Sequence, residues 1–386
     1  MMKVVHAAKF YPPVPGGMET VVGDLCSGTA RDWENVVVAA NNTPHSVRES
    51  RDGVTVIRVA SFARPASVPL CPSLPWHLWR QHADCVVLHE PNPIAGTSLW
   101  LRTPAPRLVI WHHSDLLRPW WALPTYARVV QRALYRRADC VIVSNPVLAT
   151  RSPLVRFARR VAVIPFGIDL ARFERTHDAQ QTTSIAEIHR ETRGPRLLFV
   201  GRLVYYKGVN VLLDALRDWP GSLIVVGEGP LAHTLRQRAE ALGVADRIMW
   251  AGHVADADLP AYYRAADAFV LPSLAITETF GVAQVEAMAS GLPVVSTNLP
   301  TGVPWVNQHD VSGLVVEPND AAALGRALRR LAADDALRRR LADGARQRAR
   351  SLFSRERMIA SFRDVIDTVV RTPERLDERL AAAGVR

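Results

Sequence analysis

Short apolar runs alternate along this chain with stretches whose apolar positions recur at helical spacing. The runs Val4–Ala7, Val36–Ala39, Val54–Val59, Cys85–Leu88, Leu108–Trp111, Cys140–Val143 and Val161–Ile164 predict strands in the first half. Stretches such as Thr20–Thr29 and Thr125–Arg137 predict helices between them. The second half repeats the scheme, with strands expected at Leu197–Val200, Leu223–Val226, Ile248–Trp250, Ala268–Leu271, Val294–Ser296 and Leu314–Val316. Strand–helix alternation of this kind argues an α/β chain with mostly parallel sheets, each covered by helices on both faces. Residues 174–194 are polar and weakly patterned, which fits a linker. The expected organisation is a first Rossmann-like domain over 1–173, the linker 174–194 and a second Rossmann-like domain over 195–353. After Phe353 a helical period runs through Val370, and the charged end Arg371–Arg386 reads as loosely held.

The stretch from Pro272 to Pro293 carries the densest chemistry. Pro272-Ser273 stops an apolar run, Thr279 is placed to cap a helix beginning near Phe280, and Gly281 falls in its first turn. The helix ends at Ser290-Gly291. Its free N–H groups suit an anion such as a diphosphate. Glu278 lies just outside the helix start and Glu286 about two turns in. Ionised carboxylates only accept hydrogen bonds, so they suit sugar hydroxyls.

The pattern E-x-F-G-x-x-x-x-E from Glu278 to Glu286, followed by A-x-A-x-G-x-P-V-V, resembles the donor-site signature of retaining GT-B glycosyltransferases of family 4. The resemblance spans nearly the whole chain and is tightest from Val200 to Asp320. Gly201-Arg202-Leu203 with Lys207-Gly208 after a strand resembles the same family, in which the Arg and the Lys hold the donor diphosphate. Charge aimed at a developing anion is commonly the largest catalytic contribution. The loop Tyr11–Glu19 contains Gly16 and Gly17, which let a backbone approach a ligand closely. In the family this loop lies over the diphosphate or the acceptor. His113-Ser114-Asp115 aligns best with a W-H-S-D pattern of related mannosyltransferases, whose histidine contacts the donor sugar; His112 is the competing candidate. His89-Glu90-Pro91 resembles a loop of bacterial polysaccharide mannosyltransferases that lines the acceptor cleft, and Pro304-Trp305-Val306-Asn307 resembles the same group.

The resemblance implies the GT-B architecture: two domains facing across a cleft, with a C-terminal helix crossing back to the first. It implies a retaining transfer in which Arg202, Lys207 and the N–H groups near Gly281 hold the diphosphate, with Phe280 and Val282 also among the donor-binding residues. Glu278 would take the hexose, Glu286 the ribose and His113 the sugar. The donor is expected to be GDP-mannose and the acceptor a lipid-linked saccharide. A UDP-sugar is the immediate rival, and a GT-B-fold epimerase a more distant one.

Composition narrows the remaining classes. No apolar run of about 18 residues occurs, so no spanning helix is expected, and the N-terminus shows no signal-peptide pattern. Cys26, Cys71, Cys85 and Cys140 have neither metal nor disulfide spacing, which fits a reducing cytoplasm. The net charge of +10 raises nucleic acid and anionic membrane as partners. The arginines are spread along the chain, which argues against nucleic acid. Arg128, Arg132 and Arg136 recur every four residues behind Arg118-Pro119-Trp120-Trp121, which suits peripheral contact with an anionic membrane. Lys207 is one of only three lysines, with Lys3 and Lys9. Gly227-Glu228-Gly229 with Ala232 imitates a dinucleotide fingerprint, but the next strand ends in Ala251-Gly252-His253, without the acidic residue such a site needs. Asp256-Ala257-Asp258 imitates a metal-binding D-x-D, but Asp258 reads as a helix cap, and with Arg202 and Lys207 present no metal is required.

Overall fold

The computed structural model describes residues 1–386 other than 65–67, 116–125, 175–178 and 383–386. Arg118, Trp120 and Trp121 therefore lie outside the described residues. The chain divides into two compact units, Met1–Gly167 with Arg355–Arg386, and Ile168–Ser354.

The first unit is built on strands β1 (Lys3–Ala7), β2 (Glu34–Ala40), β3 (Val47–Arg51), β4 (Val54–Val59), β5 (Cys85–Glu90), β6 (Arg107–His112), β7 (Cys140–Val143) and β8 (Val161–Val163). They form one sheet in the order β3-β4-β2-β1-β5-β6-β7-β8. All pairs are parallel except β3–β4. The sheet buries both faces, so its strands read as continuous apolar runs. On β2, Val36 and Val38 enter one core while Val37 and Ala39 enter the other. Strand β3 escaped the sequence pattern because its residues Val-Arg-Glu-Ser-Arg are mostly exposed and polar, as an edge strand tolerates.

The tail belongs to this unit. Helix Arg355–Arg371 buries Met358, Phe362, Ile366 and Val369, an i, i+4, i+8, i+11 stripe. Phe362 meets Trp33 and Trp111, and Arg363 pairs with Asp32 at 2.8 Å. The expectation of a loose end after Arg371 is corrected. Helix Leu376–Ala382 buries Leu376 and Leu380, and Asp377 accepts two hydrogen bonds from Arg160 at 2.6 and 2.8 Å.

The second unit carries strands β9 (Arg196–Val200), β10 (Ser222–Val226), β11 (Ile248–Gly252), β12 (Ala268–Leu271), β13 (Val294–Thr297) and β14 (Gly313–Val316). They pair in the order β11-β10-β9-β12-β13-β14, all parallel. The order reverses at β9, so the loops after β9 and β12 leave the sheet side by side. Such a switch point is where open α/β sheets bind ligands. Two expectations are corrected here. The first unit's leading segment ends at Gly167 rather than 173, and the second unit begins at Ile168 rather than 195, because helix Leu170–Glu174 buries Phe173 against Tyr263. The expected linker contains helix Ala179–Glu191, in which Ile188 is buried and His189 bonds to the Ala265 carbonyl at 3.2 Å.

Candidate active site

The loop after β9 makes a 3₁₀ turn, Tyr205–Lys207, and enters helix Val209–Ala215 through Gly208 at φ 69°. A Cβ on Gly208 would stand 1.9 Å from the Pro272 carbonyl oxygen. The loop after β12 is thus clasped to the loop after β9, and the Leu274 N–H seals the contact by donating to the Tyr206 carbonyl at 2.7 Å. Across this clasp Lys207 Nζ meets Glu278 Oε2 at 2.5 Å, with both side chains mostly buried. Ser273 donates to the same Glu278 oxygen at 3.1 Å and is held through its own carbonyl by Thr297 at 2.6 Å. A charged pair with this little water around it is shielded far less than a surface pair.

Helix Val282–Ala289 follows at once. Its N-cap is Gly281 at φ 73°, with no side-chain cap, so the expected Thr279 cap is corrected. The Thr279 carbonyl instead accepts from the Gly302 N–H at 2.8 Å. The chain must turn sharply beside Leu271, whose side chain would stand 2.6 Å from a Cβ on Gly281, so only glycine fits. An uncapped helix start leaves N–H groups for a ligand to bond. Val282 takes the first helical position. Phe280 turns its ring into a cluster with Trp305 and Phe353, so its side chain packs rather than points outward.

Because the helix starts at Val282, Glu286 lies about one turn in, not two. Tyr263 donates to its Oε2 at 2.6 Å. Burial pushes the Glu286 carboxyl upward, while the Tyr263 hydrogen bond and the Arg172 charge oppose the shift. Tyr263 and Arg172, the groups that act on Glu286, were not singled out from the sequence. Tyr263 lies in the helix Leu259–Ala265, and Arg172 falls just before the supposed linker. Arg202 shares the loop of Lys207 but is exposed and makes no ion pair among the described residues.

In the first unit Gly17 opens helix Gly17–Gly28, and Gly16 precedes it in extended backbone. A Cβ on Gly16 would stand 2.1 Å from a Glu19 carboxylate oxygen, whereas nothing lies near Gly17. The two candidate histidines separate cleanly. His112 is fully buried in β6: its Nδ1 meets the Tyr135 hydroxyl at 2.5 Å and its Nε2 faces Asp115 and Ser152. His113 lies just past the strand end, with its N–H on the Glu90 carbonyl at 3.0 Å. The loop expected to line an acceptor surface is internal. Glu90 is fully buried, accepting from Tyr126 at 2.8 Å, the Asn92 N–H at 2.9 Å and Gln131 at 3.1 Å. Asn92 caps helix Pro93–Leu101.

Asp258 occupies an N-cap position but bonds no N–H with its side chain, and no cluster of three metal-ligating side chains occurs among the described residues. No described helix is long and apolar enough to cross a membrane.

Two Rossmann-like parallel-sheet units, one carrying this lysine–glutamate clasp at its switch point, define the GT-B glycosyltransferase class. Residues 180–348 match the family model described as glycosyl transferases group 1, and residues 16–167 that of the glycosyl transferase 4-like domain. O-antigen chain mannosyltransferase C of Escherichia coli is 29% identical over 379 residues, covering 96% of this chain and 99% of the relative. D-rhamnosyltransferase WbpZ of Pseudomonas aeruginosa is 32% identical over 337 residues, covering 86% of each. Among solved structures, sucrose-phosphate synthase of Thermosynechococcus elongatus superposes with a TM-score of 0.77 at 22% identity, over 96% of this chain and 99% of that one. Anabaena HepE in complex with UDP superposes at 0.78 and 20% identity, over 95% and 100%. The chain belongs to the group 1 glycosyltransferases of family 4 and is a hexosyltransferase.

Proposed function

We propose that this enzyme moves mannose from GDP-mannose to a lipid-linked saccharide in the synthesis of a bacterial surface polysaccharide, with retention of the anomeric configuration. The observation that carries the reading is the Lys207–Glu278 pair at the start of helix Val282–Ala289. Lys207, Arg202 and the N–H groups of the helix start hold the diphosphate. Glu278 orients the hexose hydroxyls, Glu286 the ribose, and His113 contacts the sugar. The bond from the sugar's anomeric carbon to the diphosphate breaks as the acceptor oxygen attacks on the same face. A departing phosphate oxygen takes the acceptor's proton. The cations offset the charge that collects on the leaving group, so the step requires no metal.

The choice of mannose and guanine draws on similarity to an O-antigen mannosyltransferase and to a relative described as GDP-mannose-dependent, an α-(1-6)-phosphatidylinositol monomannoside mannosyltransferase of Mycobacterium tuberculosis. A thermal-shift series with GDP, UDP, ADP and their sugars, run with and without EDTA, tests it. GDP and GDP-mannose are expected to raise the melting temperature in proportion to ligand excess over Kd. A shift with UDP alone would replace the donor, and a shift that vanishes in EDTA would restore a metal.

A membrane-facing patch accompanies the reading. The guanidinium groups of Arg132, Arg136 and Arg156 gather 4.7, 5.3 and 4.9 Å from the ring centre of Phe157. Arg156 joins the cluster from outside the predicted stripe, and Arg128 sits in the wider π-helical turn Tyr126–Gln131. Each cation near an anionic surface contributes roughly 1 kcal/mol. Replacing all three by alanine is expected to lower partition onto phosphatidylglycerol vesicles on the order of a hundredfold. Co-sedimentation measures it, and equal binding to uncharged vesicles would refute the patch.

A further inference from the structure

Three imidazoles in the first unit form a line. On β1 and β5, His6 pairs with Val87, two residues before His89; on β5 and β6, His89 pairs with Trp111, two residues before His113. Side chains two apart share a face of the sheet, so all three rings stand on one side. His6 Nδ1 lies 3.1 Å from His89 Nε2, and His89 Nδ1 lies 3.1 Å from His113 Nε2. Successive rings tilt by only 18° and 27°, with centroids 5.4 Å apart in both pairs. The rings therefore meet edge to edge, as N–H···N hydrogen bonds require. Trp111, Phe166 and Phe362 wall the line.

Burial keeps these rings neutral, pulling His6 down to about 4 and His113 to about 3. A neutral imidazole has one N–H and one lone pair. His89 must then donate to one neighbour and accept from the other. The line has just two states, with every proton directed toward His113 or every proton directed toward His6.

The far end selects between them. The Asn35 amide nitrogen donates to the Cys26 carbonyl at 3.0 Å and to Thr29 Oγ1 at 2.9 Å. Thr29 spends its own hydroxyl proton on the Leu25 carbonyl at 2.7 Å. The amide orientation is thereby fixed, and Asn35 Oδ1 is a buried acceptor without a donor among the described residues. His6 Nε2 is buried and equally unpartnered. On the neighbouring strand His6 pairs with Val37, two residues after Asn35, so both side chains stand on one face of the sheet, and Asn35 acts on the His6 ring in the sense that favours its proton. A lone pair on His6 Nε2 would bury two acceptors together, each left unsatisfied at a cost of about 1–3 kcal/mol. The proton therefore sits on His6 Nε2. His89 Nε2 then donates to His6 Nδ1, and His113 Nε2 donates to His89 Nδ1. What remains at the near end is His113 Nδ1, itself buried and without a partner among the described residues.

We propose that Asn35, His6 and His89 are positioning residues that lock His113 in its Nε2–H tautomer, so that Nδ1 accepts a hydrogen bond from a hydroxyl of the sugar being transferred. The sugar contact rests on the function proposed above; the tautomer does not. The test is ¹⁵N ring spectroscopy of histidine-labelled full-length enzyme, with donor-saturation kinetics on the same samples. The expected result is a single His113 tautomer with the proton on Nε2. His89→Phe should scramble that tautomer and lower kcat roughly tenfold to a hundredfold. His89→Gln, which can still accept and donate, should restore the tautomer and most of the turnover. A wild-type His113 protonated at Nδ1 would overturn the proposal even if no variant folds. So would a His89→Phe enzyme with unchanged tautomer and turnover. If His113→Phe transfers sugar at the wild-type rate while the wild-type tautomer is as expected, the lock stands and the role of His113 in transfer falls.

Discussion

Lys207→Ala is expected to lower kcat on the order of 10²–10³-fold, the usual effect of removing one preorganised donor from a developing anion. The size follows from how little else can replace it. Lys207 is mostly buried against Glu278, whereas Arg202 on the same loop is exposed and makes no ion pair among the described residues. The other two lysines, Lys3 and Lys9, belong to the first unit. Glu278→Ala should cost a similar factor for a different reason, since it leaves the lysine without its counter-charge and, on the proposed reading, removes the acceptor that orients the sugar. The two losses should not add, because each variant disrupts the same pair. Lys207→Arg is expected to recover only part of the rate, as a planar fork does not fit a site built around a point charge. Single-turnover transfer with matched melting curves is the check. A Lys207→Ala enzyme that folds normally and works within about threefold of wild type would end the assignment.

The candidate site of the second unit was legible in the sequence because its residues are local. Gly201, Arg202, Lys207 and Gly208 fall within one loop, and Glu278 through Glu286 within one loop and helix, so spacing alone carries the geometry. What spacing could not carry was partnership across the sheet. Tyr263 reaches Glu286 from a helix 23 residues earlier, and the line of histidines joins positions 83 and 24 residues apart. Those pairings exist only once strand order and register are set. The helix start was misplaced for a physical reason too. Thr279 is a good cap by residue type, but the glycine two positions on adopts a left-handed turn that other residues resist, and the turn decides where the helix begins. The supposed linker misled because a solvent-facing helix with one buried isoleucine looks like polar loop sequence. His112 and His113 are both buried and differ in partners: His112 has Tyr135 and Asp115 at its two nitrogens, whereas His113 keeps one nitrogen unpartnered among the described residues.

The second large effect should appear in stability and activity together. Gly208→Ala places a methyl group where the Pro272 carbonyl already stands, at a φ of 69° that costs an L-residue roughly 1–2 kcal/mol even without a clash. The carbonyl belongs to backbone, so relief requires the loop after β12 to move away from the loop after β9. That movement strains the Leu274–Tyr206 hydrogen bond and the reach of Lys207 to Glu278. A total loss of about 3 kcal/mol or more is expected, on the scale of overpacking a close contact plus the backbone strain. For a unit of this size that corresponds to roughly 6–12 °C in Tm. Gly243→Ala isolates the collision from the dihedral strain, because Gly243 has nearly the same φ, 66°, with nothing within 4 Å of a Cβ. It should lose only about 1–2 kcal/mol and transfer sugar normally. If Gly208→Ala melts no lower than Gly243→Ala and keeps its turnover, the two loops are not clasped at Gly208 and Pro272, and the close placement of Lys207 beside Glu278 loses its structural cause.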